Sequence, residues 1–402
     1  MKYLVLQGDG MPDHKLPELG GRTPLEAANT PNLDDIAKRA EIFGAAKTIP
    51  DPLPPGSDVG NLAVLGYDPT KYYTGRSPLE AASIGITLGE TDVAVRCNLV
   101  TLAEKNGRTI MEDYSAGHIT DDDAAGIVAD LKKEFDGEEF SLSQGVSYRH
   151  LLLWRAGNSS IRTTPPHDIS GKEITPWLPS GAGEEKLLSL MEKSRRILKD
   201  HPVNAKRRAE GKNTADSIWL WGEGTRPDMP SLFKLYGITG SVVSAVDLVK
   251  GIGIFAEMEV IEVPGATGYL DTNYAGKVSG AIDSLQRVDL AMIHIEATDE
   301  TGHVGDAHLK IQAIEDFDQK VVGPALAGME QFSEYRVLVL SDHPTPIDLR
   351  THTNEPVPFA ILSSSNREAR RDESLVYTED CAAASGVFVE EGWKLMGSLI
   401  GK

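Results

Sequence analysis

The sequence predicts an α/β protein: a doubly wound, mostly parallel sheet covered on both faces, with a smaller α+β domain inserted into it. Two observations carry this. Short apolar runs alternate with amphipathic stretches along most of the 402 residues, which is the rhythm of a parallel sheet. One region breaks that rhythm, stringing together a turn, a helix, a strand-like run and a proline-rich piece. The expected division is therefore a core of residues 1–105 and 181–402 and an inserted cap of residues 106–180. A chain of this length can bury a sizeable core.

Taken in order, "YLVLQ" reads as the first strand. "TPNLDDIAKRA" reads as a helix, with Thr30 as N-cap, Pro31 at the first helical position, and Asp34 and Asp35 at the positive end of the dipole. "DVAVRCNLVTL" is a strand. The cap follows: the turn "EKNGRT", the helix "DDDAAGIVADLKKEF", the strand-like "SYRHLLLW" and the proline-rich "TTPPHDISGKEITPWLPSG". The core resumes near the long helix in "GEEKLLSLMEKSRRILKDHPVN". Strands are then expected at "SIWLWG", "GSVVSAV", "MEVIEV", "VDLAMIHIEA", "YRVLVLS" and "PVPFAIL". Helical patterns lie between them, as in "TNYAGKVSGAIDSLQ" and "LKIQAIEDFDQKVVGPALAGM".

Composition narrows the function. A net charge of −20 argues against nucleic acid or an anionic membrane as the main partner, because phosphate binding is driven by basic surface. An anionic small substrate would need a local basic pocket or metal ions. The two cysteines, Cys97 and Cys381, make no disulfide scaffold and suit a reducing cytoplasm. The opening "MKYLVLQGDG" reads as a strand rather than a signal peptide, and no apolar stretch approaches the length of a membrane span.

Chemistry-bearing residues collect at predicted strand ends. In "VLVLSDHPTP" an aliphatic strand runs into Asp342 and His343 and is then stopped by two prolines. Strand punctuation alone would explain this. The carboxyl ends of strands are also where open α/β sheets bind ligands. Asp9 in "LQGDG" ends the first strand between two glycines, which let a backbone approach a ligand closely. Ser57 in "PPGSDVGN" begins an apolar-patterned helix. A serine there is an N-cap, or a nucleophile beside a helix end that favours negative charge. Asp299 and His303 in "ATDETGH" are four residues apart, so both can face one ion across a turn. His352 in "THTNEPVPF" stands ahead of another strand. Mixed carboxylate and imidazole ligands suit Mn²⁺ or Zn²⁺, while Mg²⁺ prefers oxygen. Seven ligands would fill two sites, a recurring arrangement for phosphoryl transfer. Arg76, Arg96, Asn98, Asn204, Arg207 and Lys250 are candidates for binding a substrate carboxylate or phosphate.

These motifs, in this order and over nearly the whole chain, resemble a known family. "GDG", "PPGSD", "LGYDP", "YYTGRSPLEAA", "DVAVRCN", "ATDETGH", "SDHPTP" and "HTNEPVPF" are similar to the 2,3-bisphosphoglycerate-independent phosphoglycerate mutases of archaeal type, in the alkaline phosphatase superfamily. The resemblance implies an alkaline-phosphatase-like core and a glycolytic, cytoplasmic phosphotransferase. It would interconvert 3-phosphoglycerate and 2-phosphoglycerate with two divalent metal ions, Mn²⁺ first and Zn²⁺ or Mg²⁺ as alternatives, and without 2,3-bisphosphoglycerate. It further implies that Asp9, Ser57, Asp342 and His343 gather round one metal, with Ser57 as the nucleophile that becomes phosphoserine. Asp299, His303 and His352 would hold the second metal. The cap would close over the site, and the partner would be a small phosphorylated substrate. Self-association is left open.

Some segments depart from that pattern. "MEDYSAGHI" carries Ser115 and His118 where the family is richer in arginine, and Trp221 in "IWLWGEG" stands where an arginine is usual. "DYSAGHI", "PPHDI" and "WLWG" look like a bacterial branch proposed to be homoserine kinases, although no G-x-x-x-x-G-K-[ST] loop is present. The alternatives are thus a homoserine-kinase-like phosphotransferase of the same fold or a metal-dependent phosphomonoesterase.

Overall fold

The structure is a computed structural model that describes residues 1–366 and 372–402. Its strands in chain order are β1 (Lys2–Gly8), β2 (Ile42–Ala46), β3 (Val93–Lys105), β4 (Arg108–Asp113), β5 (Phe140–Ser143), β6 (Arg149–Trp154), β7 (Ser217–Thr225), β8 (Gly240–Val243), β9 (Glu259–Val260), β10 (Leu290–Ile295), β11 (Tyr335–Leu340), β12 (Val357–Ser363) and β13 (Phe388–Val389). The described chain divides into two units, Met1–Tyr73 with Asp228–Lys402, and Thr74–Pro227.

The first unit is built on an eight-stranded sheet of order β13-β2-β12-β11-β1-β10-β8-β9. β1 lies between β10 and β11 and is parallel to both; its Gln7 is level with His294 on one side and Leu340 on the other. The carboxyl ends of these three strands therefore lie side by side. β10 is buried throughout and β1 and β11 nearly so, the pattern of strands covered on both faces. One face carries the main core, where Leu4, Leu6, Ile293, Val337 and Val339 pack with Phe317, Ile314 and Ala281 from the covering helices. The sheet is mixed, because β12 runs antiparallel to both β11 and β2. The reason is the connection: residues 341–356 contain no helix, and a short helix-free return delivers an antiparallel strand.

Local expectations fare differently. The helix Pro31–Arg39 begins with Pro31 as read, but Thr30 makes no side-chain cap bond. The "MEVIEV" strand shrinks to Glu259–Val260. The stretch from Ala307 to Met329 is helical but includes a π turn over Asp318–Val322, just before Pro324, which has no N–H to continue the ladder.

The second unit is an antiparallel sheet of order β4-β3-β6-β5, with β7 also pairing β3. Its bounds are wider than residues 106–180. β3 and β7, expected in the parallel core, pair with each other here, and the thirteen-residue β3 also bonds β6 and β4. The helices Asp121–Phe135 and Glu184–Lys199 contribute Ile127, Leu131, Leu190 and Leu198 to a core floored by Trp219 and Leu152.

Candidate active site

Three parallel strand ends place the site. Asp9 follows β1, Asp342 and His343 follow β11, and Asp299 lies four residues beyond β10 in the helix Ala297–Val304, which also carries His303. Ser57 is the first residue of the helix Ser57–Val64, and Gly56 takes the N-cap position. His352 comes from the loop before β12. The reading of Ser57 as a cap is thereby answered: its hydroxyl caps nothing and lies 3.1 Å from His343 Nε2.

The structure brings these seven residues together. His343 Nε2 is 3.5 Å from Asp9 Oδ1 and 3.4 Å from Asp342 Oδ2. Asp299 Oδ2 is 3.2 Å from His303 Nε2, and its Oδ1 is 3.5 Å from His352 Nε2. The two Nε2 atoms of His303 and His352 face each other at 3.0 Å. Asp9, Asp342 and His343 form one group whose ligand atoms lie within 4.8 Å of one another, and Asp299, His343 and His352 form another. His343 thus stands in both.

Hydrogen bonds on the outer atoms decide which atoms face inward. His303 Nδ1 lies 3.0 Å from the Arg350 carbonyl and His343 Nδ1 3.2 Å from the Pro344 carbonyl. A carbonyl only accepts, so each neutral ring carries its proton on Nδ1 and presents the Nε2 lone pair to the site. Asp342 is held by the Gly10 N–H at 3.3 Å and by Asn61 Nδ2 at 2.9 Å. The Thr345 hydroxyl donates to Asp299 Oδ1 at 2.5 Å and lies 3.3 Å from His343 Nδ1, so it links the two groups. Gly10 is in the left-handed region, φ +58°, and a Cβ there would lie 2.4 Å from Thr345 Oγ1 and 2.5 Å from Asp299 Oδ1. A glycine is needed at that contact.

The electrostatics suit a bound cation. Burial, then Asp342, Asp299 and Glu296, pushes the Asp9 carboxyl well above its usual range. Its Oδ1 is buried and has no hydrogen-bond partner. Burial alone would raise Asp299 too, yet His303 and His352 hold it well below the carboxylate range. Burial pushes His343 down, while Asp299 lifts His303 to about 9 against the effect of burial. Converging carboxylate oxygens and imidazole lone pairs, with one orphaned acceptor among them, are the donor set of a divalent cation. The residues present fit such a group.

The other candidates divide. Arg76 Nε and Arg96 Nε grip the two oxygens of Glu80 at 2.9 and 3.1 Å in the second unit. Arg149 adds a third cation to the surroundings of that single carboxylate. Burial first, then Arg76 and Arg149, brings Arg96 down to about 10. Trp221 covers the Arg96 guanidinium at 4.2 Å from its ring and donates to Asn98 Oδ1. Asn204 and Arg207 are corrected. The Asn204 amide is spent on Leu198 and Ala215, and Arg207 is buried with bonds to Asn213, Asp123 and Ala116, so both hold the fold. Lys250 Nζ is taken up by Glu262 at 2.8 Å. Sequence reasoning passed over Asn61 and Thr345 and set His294 aside as a core histidine. Asn61 had a signal, since it is four residues after Ser57 on the same helix. Thr345 sits inside the "DHPTP" motif.

Residues 37–204 match the family model of 2,3-bisphosphoglycerate-independent phosphoglycerate mutase. The chain is 51% identical over 400 residues to a probable 2,3-bisphosphoglycerate-independent phosphoglycerate mutase of Geobacter sulfurreducens, covering 100% of both. It is 50% identical over 401 residues to the enzyme so named from Methanothrix thermoacetophila, again covering 100% of both. Among solved structures, a protein from Pyrococcus horikoshii matches with a TM-score of 0.83 at 28% identity, covering 100% of this chain and 96% of that one. The cofactor-independent phosphoglycerate mutase of Thermoplasma acidophilum matches with a TM-score of 0.66 at 26% identity, covering 100% and 99%.

Proposed function

The chain belongs to the 2,3-bisphosphoglycerate-independent phosphoglycerate mutases, and on that footing we propose that it moves a phosphoryl group between the 3- and 2-hydroxyls of glycerate by way of Ser57. The observation that carries the residue assignment is the Ser57 hydroxyl itself. It opens a helix, caps nothing, and stands 3.1 Å from His343 in the cluster of seven. A helix N-terminus favours the negative charge that develops on such an oxygen and on the phosphoryl group beside it.

Two divalent metal ions, Mn²⁺ with Zn²⁺ or Mg²⁺ as alternatives, held by Asp9, Ser57, Asp342 and His343 and by Asp299, His303 and His352, would lower the serine pKa and neutralise phosphoryl charge. Ser57 Oγ attacks phosphorus while the bond to the substrate oxygen breaks, leaving phosphoserine and glycerate. The serine proton ends on the released hydroxyl. Glycerate turns within the site, its other hydroxyl attacks the phosphoserine, and Ser57 is regenerated with the proton returned. The His294, Asn61 and Thr345 side chains that hold Asp9, Asp342 and Asp299 are buried, which fixes their geometry before the substrate arrives. Arg76 and Arg96 hold Glu80 with Arg149 nearby, and guanidinium groups of this kind suit a carboxylate or phosphate, whereas the Asn98 amide is engaged by the Tyr114 carbonyl and by Trp221. The substrate is a small phosphorylated acid and the reaction belongs to glycolysis, which supports a cytoplasmic location. No described helix is long and apolar enough to cross a membrane.

The test is a coupled assay with Mn²⁺ and 3-phosphoglycerate, without ATP, beside homoserine with ATP. Formation of 2-phosphoglycerate that EDTA abolishes is the expected result. ATP-dependent phosphorylation of homoserine alone would replace the mutase reading with the kinase one. Net release of inorganic phosphate without 2-phosphoglycerate would make the protein a phosphomonoesterase. Mass spectrometry should find the phosphoryl group on Ser57, and Ser57→Ala retaining normal turnover would sink the covalent route.

A further inference from the structure

Asp9 has little freedom left except at its carboxylate. Its N–H bonds the Ile295 carbonyl at 2.9 Å, and its own carbonyl accepts the Thr298 hydroxyl. Rotation of the carboxylate would exchange Oδ1 and Oδ2, and only one of them faces His343. The other, Oδ2, lies 2.8 Å from His294 Nε2, on a ring that is fully buried in β10.

The state of that ring follows from its far side. His294 Nδ1 is 3.1 Å from Ser244 Oγ. Ser244 Oγ already accepts the Val246 N–H at 2.9 Å, so its own proton is available to His294 Nδ1. The ring proton then sits on Nε2 and points at Asp9. We propose that His294 is a positioning residue for the metal centre: its Nε2–H, set by Ser244, fixes Asp9 Oδ2 and so leaves Oδ1 as the oxygen offered to a metal ion. This fits the one unusual feature of Asp9, that Oδ1 is buried without any hydrogen-bond partner. The inference rests on the metal reading above. It makes His294 part of the site without contact to substrate.

The experiment is Mn²⁺ titration of metal-free protein by calorimetry, with the electron paramagnetic resonance of bound Mn²⁺ as a second readout, for wild type, His294→Leu, His294→Gln and Ser244→Ala. Leucine removes the donor, while glutamine keeps an N–H near the Nε2 position. His294→Leu should weaken one of two sites by about 10- to 100-fold, the usual cost of losing such a partner. His294→Gln should restore most of that affinity and the wild-type spectrum. Ser244→Ala should weaken the same site by less. If His294→Leu does not fold, the glutamine and Ser244 variants decide. Wild-type affinity in His294→Leu and Ser244→Ala would overturn the inference. So would a glutamine variant as weak as the leucine one, which would make His294 a packing residue. A wild type that binds no Mn²⁺ would instead overturn the metal reading, and this inference with it.

Discussion

Replacing Lys310 by methionine should be among the most damaging single changes in the first unit. Lys310 and Asp13 form an ion pair at 2.7 Å with both side chains at 0% exposure. Lys310 Nζ also bonds the Thr345 carbonyl at 2.7 Å and lies 3.4 Å from that of Pro12. Asp13 accepts the N–H groups of His14 and Ile347. Burial lowers the pKa of Lys310, and Asp13 opposes that shift. Methionine fills similar space, so the cost is electrostatic. It strands a buried carboxylate that keeps only backbone partners, and breaking a buried pair from one side costs about 3–5 kcal/mol. A whole domain is stable by about 5–15 kcal/mol, so this is a large share. The assay is urea unfolding of Lys310→Met, Asp13→Leu and the double variant. Replacing both charges should recover much of the loss, because no uncompensated ion remains. A loss under about 1 kcal/mol in Lys310→Met would refute the reasoning, since a well-solvated pair behaves that way. Turnover should fall beyond what unfolding explains, because the freed Thr345 carries the hydroxyl that holds Asp299.

Two further outcomes follow from the same structure. Removing metal should lower the melting temperature of the first unit, since a ligand at about 100 times its Kd stabilises by roughly 2.7 kcal/mol per site; identical melts with and without EDTA would contradict the two-metal reading. In the second unit, burial pushes His150 down to about 4, and its Nε2 has no partner while Nδ1 accepts the Gly145 N–H. A depressed pKa gives stability that is present above the unfolded value of about 6.5 and lost as pH falls through about 4. The difference is worth about 3 kcal/mol at the acid end. His150→Leu should therefore flatten the acid-side decline of second-unit stability between those pH values, and parallel curves for wild type and variant would refute this.

How much of the fold could be read depends on what a residue's neighbours are. Alternation of strand and helix was visible because burial on both faces leaves continuous apolar runs, and β1, β10 and β11 show such runs. The direction of β12 was not visible in its own residues. It follows from the helix-free loop before it, which carries Asp342, His343 and His352. The second unit exceeds the span its sequence suggests for a similar reason. "DVAVRCNLVTL" and "SIWLWG" look like parallel core strands, and only their pairing, with Cys97 level with Leu220 and with His150, shows an antiparallel sheet of their own.

The candidate site was more legible than the fold around it. A carboxylate or imidazole placed where an apolar strand stops is conspicuous in one dimension, and the sheet then gathers all such ends along one edge. The partners that orient those groups carry no comparable mark. His294 sits inside "LAMIHIEA", where a buried histidine reads as packing. It gains a role only through the register that sets β10 beside β1 and brings Nε2 to Asp9. The cationic candidates fail in the opposite way. Arg207 is as basic on paper as Arg96, yet Asp123 and two backbone carbonyls use it up, while Arg96 shares one carboxylate with Arg76. Charge in a sequence is a count of donors, and binding depends on the donors left over once the fold has taken its share.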